Sequence, residues 1–454
     1  MKILVCVKIV QGEINPFDAS ALECALTLSE DVTILSMGAE HTKETVSALT
    51  RLGAKAILIT DKLYAGSDTL ATANVLAAAI KKLPFDLILC GRQSVDGSTA
   101  QVGVMLSRMI RCSLLTGALS VTAEKDAVTV RTREGQVRSV LPALITVEKE
   151  YRLRFPSIFS CPGEVILWDN TVLGCSPDHC GLRGSATRVL QTFESERGKR
   201  NCQFVSMDNL FPLIERLQKA SKRDVPAWEE KEQNGQRLPC VWAVGEKVLP
   251  YARVIADQVL QIPKSPVEEI IQKAAAEKPE VILWNADAWG RINASIAAAA
   301  LQTGLCADCT QLETDGRKLY IYRPALGGRV TAKIECLTRP QMATVRTKSD
   351  SADIIVAGGR GAVSAMDKLQ AFAKKIGAQL AASRGLVDMD QMPYSAQIGL
   401  TGKTVSPKIY IAVGISGAVQ HVCAIEGAQN IIAVNPDPNA PIFDYADYGI
   451  IEKF

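Results

Sequence analysis

Short β-branched runs alternate with helical stretches from the first residue onward: KILVCVKIV, SALECALTLSE, VTILSMG, TKETVSALTRLGA, KAILITD, DTLATANVLAAAIKKL and FDLILCG. Strand then helix on short links specifies an α/β domain with a mostly parallel sheet, because a parallel return needs a crossover that a helix fills. The last of these strands opens into GRQSVDGSTAQVG, a loop at the carboxyl end of a strand, where such sheets bind their ligands. After Ala127 the pattern changes to VTVRTREGQVRSV, an alternating hairpin, and then to the proline-interrupted LPALITVEKEYRLRFPSIFS. Thr192 to Gln236 is polar and encloses one amphipathic helix, DNLFPLIERLQKA, which makes it the linker region. A second α/β unit begins at LPCVWAVGE and includes PEVILWNAD. A third runs from Asp353 through IIVAGG, MDKLQAFAKKIG, KIYIAVGISGAVQH and NIIAVNPDPNAPIF, another doubly wound pattern with its unusual loops on one side.

Composition narrows the function classes. With 454 residues, 47% hydrophobic, the chain has ample core, and its +3 formal charge with no long Lys/Arg block points to neither nucleic acid nor an anionic membrane as a partner. Thirteen cysteines lie scattered in apolar runs, which suits free thiols in a reducing compartment. Cys306-x-x-Cys309 has no second half of matching spacing, so no metal site is expected. MKILVCVKIV is too short for a signal core, no run of about 18 apolar residues occurs, and a cytoplasmic protein is expected.

The third unit's loops carry the chemistry. AGGRG (Ala357–Gly361) follows a strand and precedes a helix, where glycines allow close backbone approach to an anion and Arg360 adds a forked donor. SRGLVD supplies Ser383 and Arg384, QIGLTGK supplies Gln397 and Thr401, and GISGAVQH supplies Gly414, Ser416, Gln420 and one of only three histidines, His421, with Ser416 as the expected N-cap. NPDPNAP adds Asn435 and Asp437, and ADYG adds Asp447. Turn formation does not need two Arg, a Lys and a His on successive strand ends; a dinucleotide would use them. The absence of GxGxxG disfavours an ordinary NAD site, and no Walker, HExxH or Ser/His/Asp pattern is present.

This series resembles the electron transfer flavoprotein family, with both subunits joined in one chain. Residues 1–221 resemble the beta subunit with its C-terminal arm, through MKILVCVK, NPFDASALECAL, AGSDTLATANVLA, CGRQSVDGSTAQVG, LPALITVEKE, RFPS and GLRGSATRV. Residues 222–237 form the linker. Residues 238–349 resemble the first domain of the alpha subunit, through GLCADCT, RPALGGRVTAKIEC and RPQMATVR, and residues 350–454 resemble its FAD-binding domain. The resemblance implies three units: two parallel-sheet domains of the adenine-nucleotide alpha-hydrolase type and a C-terminal doubly wound FAD domain.

It further implies roles for matching residues. Arg384 would lie against the isoalloxazine ring, Thr401 would bond near N5, and His421 would stand at the N1/C2 edge as an imidazolium or donor that favours the reduced, anionic flavin. Arg360, Ser383, Gln397, Gly414, Ser416, Gln420, Asn435, Asp437 and Asp447 complete the FAD set. In the first unit, Asn15, Asp18, Gly91, Asp96, Thr99, Ala100 and Gln101 stand where the family holds AMP or a second FAD. The implied function is an FAD-mediated single-electron carrier between a flavoprotein dehydrogenase, such as an acyl-CoA dehydrogenase, and an acceptor such as a quinone oxidoreductase, ferredoxin or flavodoxin. The alternatives are an NADH-dependent bifurcating flavoprotein with two FAD, or an adenine-nucleotide-binding module without redox role. Departures from the family pattern include a short QGEI link between VKIV and NPF, Ser98 and Val104 in the DGSTAQVGV loop, Leu400 where Gln is usual, and a shortened alpha part without its closing helix.

Overall fold

The computed structural model describes residues 1–194, 200–219, 236–325, 330–347, 352–399 and 401–454. Leu400 and most of the expected linker, residues 222–235, lie outside them. The chain divides into two compact units, one of Met1–Thr192, Gln233–Leu326 and Ala332–Val345, the other of Phe193–Glu232, Gly327–Thr331 and Arg346–Phe454.

The first unit holds two parallel sheets. β1 (Ile3–Val7), β2 (Val32–Met37), β3 (Lys55–Ile59), β4 (Leu87–Gly91), β5 (Ser113–Ala118), β6 (Ala143–Val147) and β7 (Val165–Trp168) run in the order β7-β3-β2-β1-β4-β6-β5. Every neighbouring pair is parallel. ILVCV of β1 is buried along its whole length, as a strand covered by helices on both faces must be. The second sheet, β8 (Leu238–Val244), β9 (Ala256–Ile262), β10 (Val281–Asn285), β11 (Leu305–Cys309) and β12 (Gln341–Val345), has the order β9-β8-β10-β12-β11, also parallel. The VTVRT/GQVRSV segment is the expected antiparallel hairpin, Ala127–Thr132 against Gly135–Val140.

One core joins these two sheets. Helices α3 (Thr69–Ile80) and α4 (Val102–Ile110) cross from the first sheet, and α6 (Ala288–Leu301), which follows α5 (Val267–Glu277), crosses from the second. Ala73, Ala77 and Ala79 of α3 share a single buried cluster with Trp284, Ala297 and Ala298. Their small side chains allow close helix approach, which explains why α3 is alanine-rich on several faces. Asp68 starts α3 by accepting from Ala71 N at 2.9 Å, and Arg108 makes a forked pair with Glu268 at 2.8 and 3.1 Å.

The second unit is one parallel sheet of β13 (Ile354–Gly358), β14 (Gln379–Ser383), β15 (Gln397–Ile398), β16 (Ile409–Val413), β17 (Asn430–Val434) and β18 (Tyr448–Ile450). A short strand, Gln203–Phe204, pairs with β18 at one edge. The arm read from the sequence with the first 221 residues therefore builds into this unit. Its helix Leu210–Lys219 buries Leu210, Leu213, Ile214 and Leu217 in the cluster that holds β13 and β16. Arg200 pairs with Asp447 at 2.5 Å and donates to the Ala428 carbonyl at 2.7 Å.

In each sheet the strand order reverses between two strands, β1 and β4, β8 and β10, and β13 and β16. The loops after those strands diverge and leave a crevice. At β13/β16 the two loops meet backbone to backbone: Gly359 N donates to Val413 O at 2.8 Å and Gly361 N to Gly414 O at 3.1 Å. A Cβ on Gly359 would stand 2.2 Å from Gly414 O, and one on Gly414, at φ +61°, 2.5 Å from Ala362 N. We predict that Gly359→Ala destabilises the second unit by about 2–4 kcal/mol. Hydrogen exchange should quicken in β13 and β16 and stay unchanged in β1–β4; unchanged exchange in β13 would show that the loops can part without cost.

Candidate functional site

The second unit's crevice collects most of the residues singled out from its sequence. Arg360 follows β13, and its side chain lies against Gly385, where a Cβ would stand 2.8 Å from Arg360 Cγ. Arg384 opens the short helix after β14, part-exposed, and its Nε donates to Asp388 at 3.1 Å. Gln397 is fully buried on β15; its Nε2 donates to Thr401 Oγ1 at 2.7 Å while its Oε1 is buried with no partner among the described residues. A carbonyl left with nothing to accept from costs about 1–3 kcal/mol unless a ligand supplies the donor. The site therefore offers two guanidinium groups for an anion, a hydroxyl, and an amide oxygen that needs an N–H. That donor set suits a flavin dinucleotide, with its pyrophosphate and ring N–H.

Other residues have positions the sequence did not foresee. Ser416 does not cap a helix, because the helix of GISGAVQH, α8 (Val419–Val422), starts later, with Ala418 at its N-cap and no side-chain bond. Ser416 and Gln420 are exposed. The amides of AGGRG bond to the Gly414 loop and within their own turn, Ala362 N to Gly359 O at 3.0 Å, so these glycines serve loop-on-loop packing. Asn435 is buried and spends both ends of its amide on backbone, donating to Ile415 O at 3.0 Å and accepting from Asp437 N at 3.0 Å. Asp437, exposed, accepts from Asn439 N. Asp447 accepts from Ile431 N at 2.8 Å and from Arg200, a structural duty for a residue read as a nucleotide ligand.

His421 differs most from expectation. It is 6% exposed, with Nε2 2.8 Å from the Tyr410 hydroxyl and Nδ1 3.1 Å from the Ile398 carbonyl. Burial pushes its pKa down to about 4, against a smaller upward pull from the Ile398 carbonyl. Both ring nitrogens thus have partners within the protein, and burial disfavours the imidazolium form of the role that the resemblance implies.

At the first unit's crevice, Asn15 is buried and bridges the loops, donating to Gln93 O at 2.9 Å and accepting from Val95 N at 3.2 Å. Asp18 accepts from Lys8 N at 2.8 Å and Gly91 N at 3.1 Å, and a Cβ on Gly91 would strike Asp18 Oδ1 at 2.2 Å. Asp96 pairs with Lys8 Nζ at 2.5 Å, and its other oxygen is buried and unpartnered. Burial works to raise the Asp96 pKa, but Lys8, Ser94 and the Gly97 amide together hold it below the ordinary value. Ser98 and Ala100 hold positive φ, 51° and 55°, beside Thr99. Gln101 is occupied, accepting from Thr69 at 3.0 Å and donating to Leu305 O at 3.1 Å. An open cleft of about 1150 Å³ at the C-terminal ends of α3, α4 and α6, near Lys81, Lys82 and Arg111, lies at the opposite end of these helices from the crevice loops.

Sequence reading missed one surface. Phe155, Ile158 and Phe159 are 85%, 86% and 87% exposed within five residues. Their segment is pinned by Arg51, which donates to Ser160 O at 2.9 Å and Ser157 O at 3.2 Å, and by the Arg154–Glu23 pair at 2.7 Å. The signal in the sequence is the apolar RFPSIF run. The thirteen cysteines are free thiols, and Cys309 donates to Cys306 O at 3.5 Å. Among the described residues no helix is long and apolar enough to cross a membrane.

Residues 3–152 and 245–371 each match the electron transfer flavoprotein domain, and residues 349–426 match the electron transfer flavoprotein FAD-binding domain. Among curated proteins, FixB of Rhizobium meliloti is 40% identical over 224 residues, 39% of this chain and 64% of FixB. The electron transfer flavoprotein alpha subunit of Thermoanaerobacterium thermosaccharolyticum is 39% identical over 229 residues, 40% of this chain and 69% of that subunit. That of Megasphaera elsdenii is 40% identical over 225 residues, 38% and 67% respectively. The chain thus spans somewhat less than two thirds of the length of the R. meliloti protein.

Asp18 yields a pH prediction. Burial dominates its surroundings and lifts its pKa to about 7, with the Lys8 amide, Asn15 and the Gly91 amide opposing. The folded form then binds this proton more tightly than the unfolded form, so its contribution is present below pH 4 and is lost as pH rises through about 7. The loss is of order 4 kcal/mol at most. Urea unfolding of the wild type should show stability falling between pH 4 and 7 by more than in Asp18→Asn; parallel curves would refute the shift.

Proposed function

The chain belongs to the electron transfer flavoprotein family, and from that premise we propose that it carries electrons on FAD held at the second unit's crevice, in a single chain that fuses beta-like and alpha-like halves. The observation that carries this reading is the buried, unpartnered Gln397 Oε1 beside Thr401, on a loop flanked by Arg360 and Arg384. FAD, when bound, supplies the redox chemistry, taking up and passing on electrons at its ring. The protein's part is binding and tuning: Arg360 holds the anionic pyrophosphate, Arg384 lies against the ring, and Gln397 and Thr401 orient the ring through hydrogen bonds. No general base or substrate pocket is required of a carrier.

The first unit's crevice is proposed to hold AMP. Asn15, Asp18, Gly91 and Asp96 build its walls, and Asp96 Oδ1 is buried with no full hydrogen bond among the described residues. The recurrence of the same domain match in both halves supports the fused beta-like and alpha-like reading. A second FAD at this place would make the protein a bifurcating flavoprotein using NADH.

The electron donor is proposed to be a flavoprotein dehydrogenase, of acyl-CoA type, and the acceptor a quinone oxidoreductase, ferredoxin or flavodoxin. Phe155, Ile158 and Phe159 give the apolar anchor that a partner could bury, held out on a segment whose backbone is already pinned.

Purified protein denatured after its visible spectrum is recorded should release one FAD and one AMP per chain. Two FAD would favour bifurcation, and a folded but colourless protein would remove both redox readings. Phe155→Ser with Ile158→Ser should slow electron transfer from the dehydrogenase about tenfold or more at low protein concentration, leaving FAD content unchanged. An unaltered rate would place partner docking elsewhere.

A further inference from the structure

We propose that the open cleft at the C-terminal ends of α3, α4 and α6 is a binding site for a nucleoside polyphosphate: its basic rim takes the phosphates and its alanine floor takes the base. The proposal is independent of the FAD and AMP readings, since the cleft lies at the opposite end of these helices from the crevice loops.

The cleft measures about 1150 Å³, and small-molecule sites run from roughly 300 to 1,000 Å³, so a ligand of nucleotide size fits with part of it left in solvent. Four basic side chains line it, Lys81, Lys82, Arg108 and Arg111, and no carboxylate does. Cations stand at helix C-termini for a structural reason too, since each end carries about half a negative charge, or about one and a half over the three helices. Arg108 is already held by Glu268, with bonds of 2.8 and 3.1 Å. Lys81, Lys82 and Arg111 are exposed and have no ion-pair partner among the described residues. These three cations exceed what the helix ends offset, and the surplus faces a cleft, whose low-dielectric walls concentrate its pull on an anion. Arg111 also holds the C-cap of α4 in left-handed backbone, φ 57°, where glycine sits at least cost. The chain keeps a guanidinium there against about 1 kcal/mol of conformational preference.

The floor decides which anion. Ala77 and Ala78 of α3 and Ala299 and Ala300 of α6 supply it, and Ala78 and Ala300 are part-exposed. Side chains this short leave a low apolar surface, and covering it favours a flat ring over an inorganic phosphate, which has no apolar face. Asn74 and Gln302 line the same cleft, with Asn74 Nδ2 donating to Gln302 Oε1 at 3.3 Å and Gln302 Nε2 donating to the Ala299 carbonyl at 2.8 Å. Asn74 Oδ1 takes no hydrogen bond among the described residues and is left to accept from an amino group on a base. Because α3 and α4 belong to the first sheet and α6 to the second, a molecule seated here touches both sides of their shared core.

The test is calorimetric titration of the full-length protein with ATP, with AMP in excess to keep the first crevice filled. ATP should bind, and inorganic triphosphate and adenosine, each carrying one part of the recognised chemistry, should bind about tenfold or more weakly. Lys81→Glu with Arg111→Glu should weaken ATP binding about tenfold or more and leave FAD content and AMP binding unchanged. Ala78→Phe, which fills the floor and keeps the charges, should weaken ATP binding and leave that of inorganic triphosphate as it was. Hydrogen exchange of the wild type should slow on ATP addition at residues 74–82 and 299–302 and stay unchanged at 91–101. Absence of ATP binding at millimolar concentration would overturn the proposal. So would ATP binding that survives the charge reversal, or inorganic triphosphate binding as tightly as ATP.

Discussion

Parallel strands cannot be joined by tight turns, and that constraint organises everything else in this protein. Each crossover helix must choose a face of the sheet, and where successive crossovers leave in opposite directions the loops at the strands' carboxyl ends part. Such a reversal occurs in each of the three parallel sheets of the described residues. At two of them the resulting crevice is lined by residues whose polar atoms are buried and incompletely partnered, Gln397 at one and Asp96 at the other. The third, between β8 and β10, is closed by its own residues: Asp287 caps α6 through Gly290 N at 2.8 Å and pairs with Lys264 at 2.5 Å. The same topology therefore yields two crevices with unmet hydrogen-bonding capacity and one in which this aspartate is fully used.

The two candidate crevices are built differently. In the first unit a buried carboxylate, Asp18, ties the loops after β1 and β4 by accepting one amide from each, and Gly91 is glycine because that carboxylate leaves no room for a Cβ. In the second unit backbone ties the loops, glycine against glycine, and Arg360 and Arg384 stand on the loops beside them. A buried carboxyl group suits a site that recognises a neutral or donor-rich group. Two guanidinium groups suit an anion.

Several residues selected by sequence have hydrogen-bond partners within the protein. Asn15, Asn435, Gln101 and Asp447 each spend polar atoms on backbone or side-chain partners; the first three stand beside a crevice, and Asp447 lies at the amino ends of β17 and β18, away from it. Sequence alone cannot separate such partners from ligand contact, since both require the same residue type at the same position. His421 is the sharpest case, a histidine read as a flavin ligand whose two ring nitrogens both have partners within the protein.

The sequence by itself determined the three parallel sheets, the loops that carry chemistry, the helix of the arm and the alanine-rich α3, because period, glycine punctuation and strand composition are local properties. It also carried enough motif order to point to the electron transfer flavoprotein family. Only the tertiary structure decided that the first two sheets share one core, that the arm at Gln203–Phe204 joins the β18 edge, and that Phe155, Ile158 and Phe159 stand uncovered. Burial and the pairing of distant residues shift the pKa values of His421 and Asp18, and neither shift is written in local sequence. Tyr410 reads along the chain as one more apolar position of a buried strand; its hydroxyl has meaning only because the fold brings a histidine within 2.8 Å of it.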